Sequence, residues 1–345
     1  MKNKIKGLLL GTFFAAACFA MASNPTLAAV KTQNADFEIQ RLPSETQVNN
    51  DVKYFDLKIA PGEREEIKMR VQNFTDHKIT VKTDLRNSFT QVGGGVDFTS
   101  DTKQLDSSLA VPLTKVAHVN AKDRVLHLGP NETRDITATV KMPTGVTRGL
   151  IYGDWHFIEY LSSKGSGSAV SSNYAYSVGV VLRGKNYKVY PELKYNKTKA
   201  ILYKKHAGMG IDLRNTQPMI LNNVTMQAVV AKEGLFASKH IFNVTDSQIA
   251  PNSKVTLPIT WSYDQLKPGR YTVNVKVTGE NNWNRLPMSW RFKKHFTVKR
   301  TAAKKINQNA LQQPKNKWLY VSVATGGLLL VATAELLKLL LSSGV

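Results

Sequence analysis

Short runs of strictly alternating apolar and polar residues fill the middle of this 345-residue chain. Clear examples lie at residues 79–85, 136–142 and 271–277. A period of two places alternate side chains on opposite faces of a β-strand, so each run has one face for a core and one for water. Pro-Gly, Gly-Gly and Pro-Asn turn signals separate the runs. The pattern predicts an all-β protein built from sandwiches or barrels.

One stretch, PGEREEIKMRVQN at residues 61–73, fits two periods. As a helix it would place Ile67 and Val71 on one face, whereas as a strand it alternates Ile67, Met69 and Val71 with charged residues. We interpret it as a strand because it follows a Pro-Gly turn and lies between two other strand-like runs. The prediction is that these three apolar residues enter a core and the charged residues between them face water.

A repeated pattern indicates two related domains. In both halves of the chain a Pro-Asn pair precedes an alternating strand, and a turn that ends in Gly precedes a closing strand. The pattern runs from Pro130 to Gly149 in the first half and from Pro251 to Gly269 in the second, at nearly equal spacing. Turn, strand, turn and closing strand at matched spacing are typical of immunoglobulin-like sandwiches. We therefore predict two immunoglobulin-like β-sandwich domains in tandem.

Composition suggests where the two domains meet. Residues 162–173, SSKGSGSAVSSN, predict a flexible linker or a long exposed loop, which places the sandwiches at residues 35–161 and 174–308. Residues 29–181 carry 18 basic and 18 acidic side chains, whereas residues 182–318 carry 25 basic and 6 acidic ones. Such an asymmetry indicates two modules with different partners.

Both ends of the chain are apolar. Residues 1–28 join lysines, an apolar run and small residues, which predicts a secretory signal peptide, and it contains the only cysteine, Cys18. Residues 318–341 reach the length of about 20 residues that a transmembrane α-helix needs. Its predicted membrane-anchor residues are Trp318, Tyr320, Glu335 and Lys338. An exported chain without disulfides fits a bacterial surface, so we expect a single-pass protein of the cell membrane, with its body facing the cell wall and its C-terminus inside.

The sequence lacks the usual motifs of catalysis. None of its seven histidines stands in a zinc-binding pair, and no nucleophile elbow or phosphate-binding loop is present. Three consecutive glycines at residues 93–95 are better explained by a hairpin turn. We therefore predict a non-enzyme without metal or cofactor. A weaker alternative, an exported hydrolase, would need a pocket with two facing carboxylates, for example Asp154 or Glu159 with a partner.

An aromatic segment, GLIYGDWHFIEYL at residues 149–161, is the first candidate for ligand binding. Tyr152, Trp155 and Tyr160 are the candidate glycan-binding residues, because an aromatic face stacks on the apolar face of a sugar ring. The same residues also fit a core strand of a sandwich, and the sequence leaves both interpretations open.

Basic residues of the second half form the other candidate surface. The candidate partner-binding residues are Lys194, Lys197, Lys199, Lys204, Lys205, Lys293 and Lys294. Lysines just outside a membrane are equally explained by anionic lipid head groups or wall polymers. Nucleic acid is disfavoured as a partner because the signal peptide directs the chain out of the cytoplasm.

Longer motifs follow one another in a specific order. VQNFTDHKITV, NSFTQVGGGVDF and VKMPTGVTRGLIYGDWHF precede IAPNSKVTLPI, LKPGRYTVNV and WRFKKHFTV, and the apolar C-terminal segment comes last. From about residue 35 to residue 341 the chain thereby resembles the WxL-interacting proteins of Gram-positive bacteria. The resemblance implies a first domain that binds peptidoglycan, a second that binds host matrix proteins, and WxL-domain surface proteins as partners. One departure is the C-terminus, where SSGV stands in place of the family's usual basic tail.

These observations lead to two hypotheses about function. The first is a non-catalytic adaptor of the cell surface that binds wall peptidoglycan and a partner surface protein. The alternative is an assembly chaperone that acts by β-strand addition. A long exposed edge strand would favour the chaperone, whereas edges blocked by lysines or bulges would count against it.

Overall fold

The computed structural model describes residues 35–145, 147–159, 174–234 and 238–311, together with Thr325, residues 327–334 and Lys338. The described part is mostly β-strand, which confirms the prediction of an all-β protein. The predicted signal peptide, the predicted linker and most of the predicted membrane span lie outside these residues. Within the described residues, no helix combines the length and the apolar character that a membrane crossing requires.

Within the described residues, the first sandwich is formed by ten strands and one short α-helix, besides two single-turn 3₁₀ helices. They are β1 (Phe37–Arg41), β2 (Phe55–Leu57), β3 (Arg64–Asn73), β4 (Ile79–Thr90), β5 (Val96–Thr99), α1 (Leu113–Val116), β6 (Ala117–Val119), β7 (Val125–Leu128), β8 (Thr133–Lys141), β9 (Leu150–Glu159) and β10 (Ala175–Arg183). One sheet has the order β1-β3-β8-β6; the other has the order β2-β10-β9-β4-β5, with β7 also paired to β4. Buried residues from both sheets form one hydrophobic cluster.

Strand β3 contains the ambiguous stretch and confirms its interpretation as a strand. Ile67, Met69 and Val71 are fully buried, while Lys68 and Arg70 between them are exposed. Fully burying an apolar side chain of this size stabilises the fold by about 1.5–3 kcal/mol. A helix would have lost this contribution, because its period of 3.6 residues cannot place all three side chains in one core.

Strand β10 extends the first sandwich further along the chain than the sequence predicted. It pairs antiparallel with β9 over nine residues, from Ala175 opposite Ile158 to Arg183 opposite Leu150, and parallel with β2. The predicted boundary at residue 174 counts this strand with the second domain, whereas its hydrogen bonds join it to two strands of the first sandwich. The glycine and serine content of residues 162–173 marks an interruption of the apolar pattern. Strand pairing nevertheless assigns β10, the next strand, to the same sheet as β9.

The second sandwich contains seven strands and one helix. They are β11 (Leu193–Tyr203), β12 (His206–Asn215), β13 (Leu221–Lys232), β14 (Lys239–Ile249), β15 (Ser253–Thr260), β16 (Gly269–Asn281), β17 (Pro287–Val298) and α2 (Arg300–Asn309). One sheet has the order β11-β12-β15 and the other the order β14-β13-β16-β17. Tyr271, Val273, Val275 and Val277 of β16 point into the core between them, as their alternation predicted.

The two sandwiches are joined by specific polar contacts. Arg214 of β12 donates to both carboxylate oxygens of Asp106, at 2.6 and 2.7 Å. The hairpin between β4 and β5 reaches the second sandwich, where the Gly93 N–H donates to the Thr256 carbonyl and the Gly95 N–H to the Gln248 carbonyl. The glycine run is thus the hairpin that the sequence predicted, and its backbone also docks on the neighbouring sandwich.

Only glycine fits the middle position of this hairpin. Gly94 has a φ of +108°, and a Cβ built on it would overlap the Ser247 hydroxyl and lie 2.7 Å from the Met226 side chain. The close approach lets the backbone of one sandwich bond directly to the other.

Candidate functional site

Trp155 lies in the core of the first sandwich and not on its surface. Its side chain has no exposed area, its indole N–H donates to the Thr83 hydroxyl, and its ring stacks on Phe157 with 5.6 Å between centroids. The prediction of Trp155 as a glycan platform is therefore wrong. Gly153, Trp155 and Phe157 occupy alternate positions of β9 that face the other sheet, which is the core-strand interpretation that the sequence left open.

Tyr152 occupies the opposite face of β9 and is half-buried. Its ring stacks on Phe98, with 6.4 Å between centroids and 18° between the planes. Burial, and to a lesser degree Tyr54 nearby, raises the pKa of Tyr152 to about 12, so its hydroxyl keeps its proton at neutral pH. Tyr160, the third aromatic candidate, lies outside the described residues.

Tyr152 belongs to a cleft of about 510 Å³ between the sandwiches, here called the interdomain cleft. This volume lies within the range of roughly 300–1,000 Å³ that is usual for ligand sites. The first sandwich contributes tyrosines and charged side chains to its walls, and the second contributes Trp283, side-chain amides and Arg285. Its lining residues are Tyr54, Asp56, Leu150, Tyr152, Val181, Arg183, Tyr187, Ile220, Asn222, Asn223, Gln248, Asn282, Trp283 and Arg285.

Contacts with neighbouring groups orient two aromatic rings of the cleft, those of Trp283 and Tyr187. The Trp283 indole N–H donates to the Val189 carbonyl at 2.8 Å, which fixes the orientation of the ring. The Arg183 guanidinium lies 4.9 Å from the centre of the Tyr187 ring. Tyr54 remains 39% exposed, and burial followed by the nearby Asp56 raises its pKa. The cleft therefore offers aromatic surface whose orientation is set before any ligand enters.

Three side-chain amides form a hydrogen-bonded chain along the second wall. Gln248 donates to Asn222 at 3.0 Å, and Asn222 donates to Asn282 at 2.8 Å. The pairing of β13 with β16 is irregular between Asn222 and Thr225, and Asn223 has a φ of +48°. Bulges re-aim side chains beside binding sites, and this one brings two consecutive asparagines to the cleft. Each side-chain amide carries both donor and acceptor groups. The wall can therefore donate to the oxygen of a ligand hydroxyl and accept from its O–H.

The charged residues of the cleft are paired. Arg183 donates to both carboxylate oxygens of Asp56 at 2.6 Å, and this hydrogen bonding raises the pKa of the guanidinium. Arg285 lies 3.7 Å from the carboxylate of Glu280. An anionic ligand would have to compete with these carboxylates, so the lining favours a neutral polar ligand with flat apolar faces.

The predicted basic residues lie in different surroundings. Lys194 lies 3.5 Å from Glu192, and Lys199 lies 3.7 Å from the buried Asp212. Lys294 lies over the Tyr195 ring. Of the other predicted residues, Lys204 and Lys205 form the β11–β12 turn with positive φ, Lys197 is exposed on β11, and Lys293 is exposed on β17.

Lys293 joins two other cations on the outer face of the second sandwich. Lys276 of β16 lies directly opposite Arg291 of β17, two residues from Lys293 on the same face. Like charges opposite each other in a sheet are destabilising. The sequence prediction did not include Lys276, because the alternation shows which side chains face outward but not which residues of two strands lie opposite each other.

Asp154 and Glu159 do not face each other. They stand an odd number of residues apart on β9 and therefore project from opposite faces of the sheet. Asp154 is fully buried, and no described group forms a hydrogen bond of normal geometry with its carboxylate oxygens. Among the described residues, no group of three or more potential ligands could hold a metal ion. Asp154 and Glu159 therefore do not pair with each other, and the hydrolase alternative, which pairs either of them with another carboxylate, stays a prediction.

Two family models match the chain. The first is the peptidoglycan binding domain of the WxL Interacting Protein, which matches residues 37–159. The second is the host binding domain of the same protein, which matches residues 165–308. Both are binding domains, and they follow one another in the predicted order. No curated protein matches the chain by sequence.

Solved structures match the chain at low similarity. The YadV chaperone is 12% identical with a TM-score of 0.31, and the match covers 75% of this chain and 100% of that chain. The E. coli chaperone DraB is 10% identical with a TM-score of 0.30, and the match covers 76% of this chain and 95% of that chain. The Salmonella enterica SafA pilin in complex with the SafB chaperone is 11% identical with a TM-score of 0.32, and the match covers 76% of this chain and 98% of that chain. Scores this low carry no argument about function.

Proposed function

Because the chain belongs to the WxL Interacting Protein family, we propose that it is a non-catalytic adaptor of the bacterial cell surface that binds wall peptidoglycan and WxL-domain surface proteins. The observation that carries the proposal is the succession of two binding domains over residues 37–159 and 165–308. Their close polar contacts support a single binding body that presents both domains at once. Both sandwiches are proposed to be of the immunoglobulin-like type.

The proposed location is the outer face of the cell membrane. A signal peptide over residues 1–28 would direct export, and a single span over residues 318–341 would anchor the chain with its C-terminus inside. This arrangement would place both sandwiches within reach of the wall.

Sedimentation with purified peptidoglycan sacculi tests the glycan part of the proposal. The purified full-length protein, mixed with sacculi at physiological salt, should pellet with them, whereas a similarly basic unrelated protein should stay in solution. If the full-length protein remains in the supernatant, the peptidoglycan part of the proposal fails. Co-purification with a WxL-domain protein from detergent-solubilised membranes tests the partner in the same way.

A second proposed activity is binding of an anionic partner, such as a host matrix protein, by the second sandwich. Lys276, Arg291 and Lys293 support it because they share one exposed sheet face and two of them lie directly opposite each other. An Arg291→Glu/Lys293→Glu double variant should elute from a heparin column at lower salt than wild type. Lys197→Glu makes the same charge change at one residue of the other sheet. It should shift elution less for each residue replaced. Equal shifts per charge would refute a localised surface.

Strand addition is less well supported as an alternative. Strand β11, at the edge of its sheet, carries Lys194, Lys197 and Lys199 and is irregular between Tyr195 and Lys197. At the opposite edge of the second sandwich, the Gln248 carbonyl of β14 already accepts from the Gly95 N–H. Lysines and bulges on edge strands hinder the pairing of an added strand.

A further inference from the structure

The peptidoglycan activity proposed above does not say where on the molecule the wall polymer is held. The two matched models assign glycan and host binding to separate halves of the chain. The interdomain cleft, however, has one wall from each half. Tyr54 and Tyr152 come from the first sandwich, and Asn222, Asn282 and Trp283 come from the second.

We infer that the interdomain cleft is a saccharide-binding site to which both sandwiches contribute, and that it takes pyranose rings of the wall glycan backbone. This inference rests on the proposed peptidoglycan-binding function. The two family models assign glycan binding to the first domain alone. The inferred site differs, because it makes side chains of the second sandwich necessary for glycan binding.

The chemistry of the walls matches that of a sugar. A pyranose ring has a flat face of C–H bonds and an edge of hydroxyl groups. Aromatic side chains such as Trp283 and Tyr54 provide apolar surface for the ring face. The chain of amides from Gln248 through Asn222 to Asn282 provides donors and acceptors for the edge. An acetamido substituent is itself an amide and can form the same kinds of hydrogen bond.

The cleft is also pre-organised for a ligand. Trp283 is fixed by its hydrogen bond to the Val189 carbonyl, and Asn222 is fixed by bonds to amides on both sides. Groups held in place before binding lose little conformational entropy when the ligand arrives. The two sandwiches are also held together by Arg214 and Asp106, which form two hydrogen bonds across the joint.

Electrostatics distinguish a sugar from an anionic polymer in this cleft. Arg183 is neutralised by Asp56 at 2.6 Å, and Arg285 faces Glu280. Binding of a neutral saccharide here should change little between about 0.05 and 0.5 M salt, whereas attraction of a polyanion to exposed lysines would be screened.

The test compares variants of the full-length protein in two assays, sedimentation with sacculi and calorimetric titration with chitotetraose, a neutral β-1,4-linked tetrasaccharide. Trp283→Ala and Asn282→Ala change the second sandwich, and Tyr54→Ala changes the first. Tyr263→Ala is the matched control, because Tyr263 is 48% exposed, Tyr54 is 39% exposed, and Tyr263 does not line the cleft.

We expect Trp283→Ala and Tyr54→Ala each to weaken chitotetraose binding about tenfold or more, which corresponds to about 1.4 kcal/mol, and Tyr263→Ala to leave it unchanged. Asn282→Ala should weaken binding by a smaller factor; its side chain is exposed, so this variant keeps the test valid if Trp283→Ala does not fold.

The outcomes separate this inference from the proposed function. If wild type fails to pellet with sacculi, the proposed peptidoglycan function fails. If wild type pellets but Trp283→Ala and Asn282→Ala bind sacculi and chitotetraose as wild type does, the shared cleft is refuted while the function stands. Binding of sacculi without binding of chitotetraose would overturn the saccharide as the ligand class.

Discussion

Asp154 offers a sharp test of the electrostatics of the first sandwich. Its side chain is fully buried on β9, and the neighbouring positions across the sheet are Gly179 of β10 and Arg86 of β4. Burial raises its pKa from 3.8 to about 7; the Ser177 hydroxyl and the Arg86 charge oppose the shift only in part. Below about pH 7 the protonated carboxyl is therefore the predominant form in the folded protein.

The sign of the pH dependence follows from this shift. Because the folded state binds the Asp154 proton more tightly than the unfolded state, the stability due to this group is greatest below the unfolded pKa. It falls as pH rises towards 7 and levels off above that value. Each pKa unit corresponds to about 1.4 kcal/mol, so the loss between pH 4 and pH 8 approaches about 4 kcal/mol as an upper limit.

Asp154→Asn removes the titration while nearly preserving the shape of the side chain. We expect the variant to match wild type near pH 4 and to be more stable by about 2–4 kcal/mol near pH 8. Urea unfolding at a series of pH values, followed by tryptophan fluorescence, to which the buried Trp155 contributes, measures the difference. Asp76→Asn is the control: the Asp76 side chain is fully exposed, so little change is expected at either pH.

The pH profile distinguishes an Asp154 charge that destabilises the fold from one that the fold accommodates. If Asp154→Asn is less stable than wild type at pH 8, or if both proteins lose the same stability between pH 4 and pH 8, a charged Asp154 is accommodated in the fold. Ionisation of this buried carboxyl would then not destabilise the fold.

Three further substitutions test the core and the joint between the sandwiches. Thr83→Val should destabilise the first sandwich by about 1–3 kcal/mol in urea unfolding, since the buried Trp155 indole N–H loses its acceptor; no change would contradict that role. Gly94→Ala should lower stability by about 1–3 kcal/mol and increase hydrogen exchange at the joint, because the added methyl group meets the second sandwich and φ is positive. Arg214→Ala should cost about 3 kcal/mol near pH 7, since it leaves the nearly buried Asp106 carboxylate unpaired. Burial alone would raise the pKa of Asp106, but hydrogen bonds from Arg214 and Ser108 lower it overall, so this stabilisation is present at neutral pH and is lost as pH falls through the folded pKa. A variant as acid-sensitive as wild type over that range would contradict this assignment.

The family and the all-β fold class could be read from the sequence, because the information is local. Alternation with a period of two requires only neighbours along the chain, and it correctly placed Ile67, Met69 and Val71 in the core. The order of motifs along the chain likewise pointed to the two binding domains that the family models match. The glycine run at residues 93–95 was correctly predicted as a hairpin turn for the same reason.

What the sequence did not reveal depends on which strands become neighbours. Alternation shows that Tyr152 and Trp155 face opposite sides of β9, but not which side meets the other sheet; the structure buries Trp155 and leaves Tyr152 at the cleft. Lys276 and Arg291 are brought together only by the register of β16 and β17.

The interdomain cleft is likewise a product of tertiary structure. Its walls combine Tyr54 with Trp283, which are far apart along the chain, and no local pattern marks them as neighbours. The assignment of β10 to the first sandwich has the same cause, since hydrogen bonds to β9 and β2 decide it. Local physical chemistry thus determined which segments are strands and which face of each is apolar. Long-range packing decided which residues meet, because only a folded sheet defines its register and only docked sandwiches define the space between them.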